Sequence, residues 1–158
     1  MLPNRLILPL LVAASVAFAR GSFTHDDAAN TTKHRSTKTV DALGTTLDVN
    51  VNGKDVNDES VSFSLHVGNN TQKMIELRFP SGQTHEFVVL DESGKEVWRW
   101  SRGRMFTQAM RNKLLKGREE TVFEERWNTK GLRGTYTAIA TLRSENHPVE
   151  TSVEFVLP

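Results

Sequence analysis

Apolar and polar residues alternate with a period of two along much of the chain beyond residue 45, the spacing that sends successive side chains to opposite faces of a strand. Leu47, Val49 and Val51 alternate with Asp48 and Asn50, and Asn52-Gly53 then offers a turn pair. Val61, Phe63, Leu65 and Val67 alternate with Ser62, Ser64 and His66 in the cleanest half-buried pattern, which ends at the turn-prone Gly68-Asn69-Asn70. Ile75, Leu77 and Phe79 repeat it against Glu76 and Arg78 before Pro80-Ser81-Gly82 turns the chain. Three further strands follow late in the sequence. Thr121, Phe123, Glu125 and Trp127 share one face; so do Tyr136, Ala138, Ala140 and Leu142, and finally Val149, Thr151, Val153, Phe155 and Leu157. Strands recur roughly every 10 to 15 residues with no long helix between them, which predicts an all-β protein, an antiparallel β-sandwich.

The densest signal lies at 79–106, which holds Trp98 and Trp100. Two runs rich in Val, Phe and Trp, 84–90 and 96–100, flank Asp91-Glu92-Ser93-Gly94, whose Asp, Ser and Gly favour a tight turn. If all four residues form the loop, Phe87 lies opposite Trp98, His85 opposite Trp100 and Glu86 opposite Arg99. That register gives an aromatic ladder on one face and a charge pair on the other. A three-residue loop with a bulge would instead pair Val88 with Trp98, and one such slip exchanges the faces. After Trp100, Ser101-Arg102-Gly103-Arg104 reads as a basic loop. Phe106, Met110 and Leu114 then suit a short helix, while Phe106, Gln108 and Met110 would share a strand face; the pattern leaves both open. Gly134-Thr135-Tyr136 resembles the tyrosine corner of immunoglobulin-like sandwiches, in which the hydroxyl bonds backward to the chain.

Composition adds three things. Residues 1–19 carry Arg5, an apolar run from Leu6 to Phe18 and an A-x-A arrangement at Ala17 and Ala19, the parts of a secretory signal, so a secreted or periplasmic location is expected with no membrane span after its removal. Without Arg5 the net charge falls from +1 to zero. A neutral chain gives no reason to expect nucleic acid or an anionic membrane as partner. There is no cysteine, so the core must suffice without disulfides. Residues 20–44 are polar, with His25, Asp26, Asp27 and His34 in no defensible ligand spacing, and read as a flexible linker ahead of a domain over 45–158. The sequons at Asn30 and Asn69 are too short a pattern to carry weight.

Catalytic chemistry is not signalled. The chain has no cysteine nucleophile, no G-x-S-x-G, no H-E-x-x-H and no phosphate loop, and His66, His85 and His147 fall on separate elements. No catalytic, metal or cofactor residue is therefore assigned. Arg99, Arg102 and Arg104 beside Trp98 and Trp100 have the residue types of a single-stranded nucleic-acid platform. Alternating indoles on a strand are better read as core anchors, with the arginines decorating a loop.

The strings S-G-Q at 81–83, F-V-V-L-D at 87–91, G-K-E-V-W-R-W-S at 94–101, Met105-Phe106, Gly117-Arg118-Glu119, Trp127 and G-T-Y-T-A at 134–138 resemble the intracellular proteinase inhibitor family, BsuPI. The resemblance runs from about Ser60 to Leu142 or beyond. It implies an immunoglobulin-like β-sandwich without enzymatic activity, named for inhibition of subtilisin-type serine proteinases. Phe87, Trp98, Trp100, Phe106, Trp127 and Tyr136 are its expected structural signature. An inhibitor of this kind would present a loop to the enzyme's cleft, and Arg102, Gly103 and Arg104, between Trp100 and Phe106, are the candidate protein-binding residues. The expected partner is a serine proteinase or another exported protein, the latter through a sheet face or edge.

Overall fold

The computed structural model describes residues 31–40, 42–52 and 59–158. The expected leader at 1–19, the first part of the expected linker with His25, Asp26, Asp27 and Asn30, and Gly53 of the turn pair lie outside them. Ten strands follow in order: β1 (Thr31–Val40), β2 (Leu43–Asn52), β3 (Ser60–Asn69), β4 (Ile75–Phe79), β5 (His85–Asp91), β6 (Glu96–Arg99), β7 (Arg111–Leu115), β8 (Glu120–Asn128), β9 (Gly134–Leu142) and β10 (Val149–Leu157). One sheet runs β1-β2-β3-β8 and the other β10-β9-β5-β6, with β4 and β7 forming a small third sheet; all pairings are antiparallel. This is the expected all-β sandwich. Its orders β2-β3-β8 and β10-β9-β5-β6 are compatible with the immunoglobulin arrangement.

The period-two pattern explains the core. Leu47, Val49 and Val51 of β2 pair with Leu65, Phe63 and Val61 of β3, and all six are buried. Phe87 and Val89 of β5 pair with Ala140 and Ala138 of β9, small residues that leave room for the facing aromatics. Phe63 sits at the centre: its ring stacks on Phe87 at 5.7 Å and on Trp98 at 5.4 Å, and meets Phe155 edge-on at 6.3 Å. Each such pair contributes about 0.5–1.5 kcal/mol beyond the area it buries. Tyr136 Oη donates to the carbonyl of Arg133 at 3.0 Å, the backward bond expected of a tyrosine corner.

Residues 31–44 correct the linker reading. β1 pairs along its whole length with β2, and Leu43 is buried at the start of β2. The strand is polar, so hydrophobic alternation does not mark it. It is held by side chains instead: Arg35 Nη2 donates to Asp48 Oδ2 at 2.8 Å, Lys33 pairs with the same carboxylate at 3.0 Å, and Lys38 donates to the Glu150 carbonyl at 3.1 Å. Asp48, on the polar side of the β2 alternation, is 3% exposed beside these groups.

Asn69 has a structural role that its sequon conceals. Its Nδ2 donates to the carbonyls of Lys73 at 2.7 Å and Lys116 at 2.9 Å, and its Oδ1 accepts from Thr71 N at 2.9 Å, tying the end of β3 to the small sheet. A buried amide used this way satisfies backbone groups that no strand pairs.

Candidate functional site

The β5–β6 hairpin turns at Asp91, whose side chain accepts from Ser93 N at 2.9 Å and Lys95 N at 3.0 Å, while Asp91 N donates to the Lys95 carbonyl at 2.9 Å. Gly94, at φ 78°, takes the left-handed position that the turn needs. Leu90 pairs with Glu96, as a three-residue loop requires, and then the register shifts: Val89 pairs with Trp98 and Val88 with Arg99. Neither expected register is correct throughout. A bulge at Val97 adds one residue to β6; together with the shorter loop this moves the pairing two positions from the four-residue-loop register and so restores its faces. Trp98 and Trp100 therefore still turn toward the core. His85 stacks on Trp100 at 4.2 Å, and Arg99 pairs with Glu86 at 3.4 Å, both contacts expected from the other register.

Beyond the hairpin, the segment 101–108 is irregular and leads into β7, so the open choice between helix and strand resolves as a loop followed by a strand. Glu86 fixes its first turn. This carboxylate is 4% exposed, accepts from Ser101 N at 3.1 Å, from Ser101 Oγ and from Gln83 Nε2 at 3.0 Å. Gly103, at φ 76°, and the bond from Arg104 N to the Ser101 carbonyl at 3.0 Å complete the turn. Arg104 then folds back: its Nε donates to the Trp100 carbonyl at 3.0 Å and its guanidinium lies 4.7 Å above the Trp100 ring. Phe106 packs on that indole at 5.4 Å, and the Thr107 carbonyl accepts from Gly82 N at 2.8 Å. The Trp100 Nε1–H meets no acceptor among the described residues, so His85, Phe106 and the Arg104 cation hold the ring through its faces.

Behind the loop, a polar chain joins the two sheets. His85 Nε2 lies 3.4 Å from Glu125 Oε1 on β8, and Glu125 Oε2 lies 3.7 Å from Arg104. Burial among Trp100, Phe87 and Phe123 pushes the His85 pKa below its ordinary value, and the hydrogen bond to Glu125 only partly opposes that. On the outer face, Arg102 bonds Glu96 at 2.7 Å and Arg99 Nε bonds it at 3.0 Å, which holds the Glu96 carboxyl below the usual range, Arg99 contributing most. The basic loop is thus matched by acids of its own scaffold, and its arginines are not a free cationic patch.

The structure brings the expected residues together. Phe87, Trp100, Trp127 and Tyr136 are buried, with Trp98 and Phe106 packed against them, and Arg102, Gly103 and Arg104 form the exposed turn directly above. Trp98 stacks on Trp127 at 5.9 Å, and Trp127 meets Tyr136 edge-on at 5.9 Å, so the signature spans both sheets. Sequence reasoning missed the role of Glu86, read as one half of a surface charge pair. A serine fifteen positions later gives no signal of where its hydroxyl points. The turn at Arg102, Gly103 and Arg104 is exposed and tied at both ends to the hairpin.

The protein is an antiparallel all-β sandwich from which an exposed, hydrogen-bonded loop projects. Residues 47–147 match the family described as intracellular proteinase inhibitor, BsuPI, and the chain belongs to that family. No curated protein matches the chain. Among solved structures it is similar to a protein described as ApaA from Bordetella pertussis, 12% identical over 81% of this chain and 92% of that one, with a TM-score of 0.36. It is also similar to a β-glucosidase from Listeria innocua in complex with isofagomine, 10% identical over 79% of this chain and 16% of that one, at a TM-score of 0.34. The family is described as intracellular, which overturns the secreted or periplasmic location expected from residues 1–19. Among the described residues no helix is long and apolar enough to cross a membrane.

Proposed function

We propose that this chain is a non-enzymatic inhibitor that binds a subtilisin-type serine proteinase and occupies its cleft with the loop around Arg102, Gly103 and Arg104. Membership of a proteinase-inhibitor family supplies the partner class. The observation that carries the reading is the pinned turn: Glu86 grips Ser101 from below while Arg104 is fastened back onto Trp100. A loop already held in one shape loses little conformational freedom on entering a cleft, so more of its contact energy is realised as affinity. Residual activity of a panel of subtilisin-type serine proteinases, titrated with the full chain, tests the reading. Progressive, saturable loss of activity at micromolar inhibitor is expected; full activity across the panel overturns it.

A further inference from the structure

Next to the turn stands the most exposed large apolar residue among the described ones. Met105 is 98% exposed, against 67% for Met110 and 61% for Met74. Both of its neighbours are held. Arg104 is fastened to the Trp100 carbonyl and ring, Phe106 packs on the same indole, and Thr107 is tied to Gly82 N. The two arginines, by contrast, are already engaged within the molecule, Arg102 with Glu96 at 2.7 Å and Arg104 with Trp100 and Glu125. Between Trp100 and Phe106, the side chain that makes no hydrogen bond, ion pair or ring contact among the described residues is the Met105 thioether.

We propose that Met105 is the specificity-determining residue of the loop and inserts into the primary specificity pocket of the proteinase, which must therefore be apolar. The inference rests on the inhibitor reading and deepens it. A single lysine-length hydrophobe without a charge suits a deep slot lined by apolar groups, and methionine's unbranched chain adapts to such a slot with little steric demand. Burying a side chain that is wholly in water beforehand transfers nearly all of its apolar surface, and pocket-filling anchors of this kind dominate binding at interfaces. Because Met105 is almost wholly in water, replacing it leaves the scaffold intact.

Inhibition constants of the full chain and its variants against subtilisin and trypsin test this. Against subtilisin, Met105→Ala should weaken inhibition roughly 10- to 100-fold and Met105→Asp should abolish it, while Met110→Ala changes nothing. Against trypsin, whose pocket ends in a carboxylate, Met105→Arg should create inhibition that the parent chain lacks. Thermal unfolding of each variant should coincide with the parent's. If the parent inhibits subtilisin and the variants do so within about threefold, the role of Met105 is overturned and the inhibitor reading stands. If the parent inhibits no subtilisin-type enzyme, both fall.

Discussion

Asp48 and His85 are two buried titratable groups that acid affects in different ranges. Asp48 lies beside β1, where the hydrogen bond from Arg35 and the nearby Lys33 outweigh the cost of burial and lower its pKa to about 2. Its folded value is below its unfolded one, so the stability it contributes is full above about pH 4 and is lost as the pH falls toward 2. His85 is depressed by burial, so unfolding favours its protonation; its contribution is full above about pH 6.5 and declines as the pH falls below that. Asp48→Asn should cost about 1–2 kcal/mol at pH 7 and much less near pH 2. Urea denaturation at the two pH values measures this, and an equal loss at both would contradict the assignment. Neither behaviour was legible in the sequence. Asp48 occupies a polar position of a half-buried pattern, and it is the long side chains of the neighbouring strand, Arg35 and Lys33, that cover it.

At the scale of elements, the hairpin and its loop were read with partial success for a definable reason. The alternation of Val, Phe and Trp marked both strands and the Asp-Glu-Ser-Gly turn, and the aromatic contacts followed. The pairing itself depends on the bulge at Val97, a one-residue event with no composition of its own. The faces came out right because the shorter loop and the bulge each shift the pairing by one position from the simplest register, and a total shift of two preserves sidedness. The loop was recognisable from Gly103 and its polar neighbours, but its stiffness was not, since that comes from Glu86 on the preceding strand. Glu86→Ala should therefore cost about 1–3 kcal/mol by leaving the Ser101 donors unpaired. It should also raise amide hydrogen exchange across 101–104 well above that of the parent. Unchanged exchange there would show that Arg104 and Phe106 hold the loop by themselves.

For the whole molecule, the sandwich was legible because most of its strands bury one face and expose the other. β1 escaped because it is polar on both sides and is retained by ion pairs and a backbone ladder. Deleting residues 1–40 should lower the unfolding free energy by at least about 2 kcal/mol, since Asp48 loses its partners, and should leave β2 with a bare edge that favours self-association. Denaturation together with size-exclusion chromatography checks both; a monomer of parental stability would mean that β1 is dispensable. The same strand has a kinetic consequence. Ser36 meets Thr151 at 3.2 Å across 115 positions of sequence, and Lys38 reaches Glu150 across 112, so β1 and β10 close one side of the sandwich by its longest-range contacts. Loop-closure entropy opposes such contacts until the intervening strands have condensed and shortened the effective loop. That seam is accordingly expected to close late in folding, and pulsed hydrogen exchange in which β1 amides are protected as early as those of β3 would contradict this.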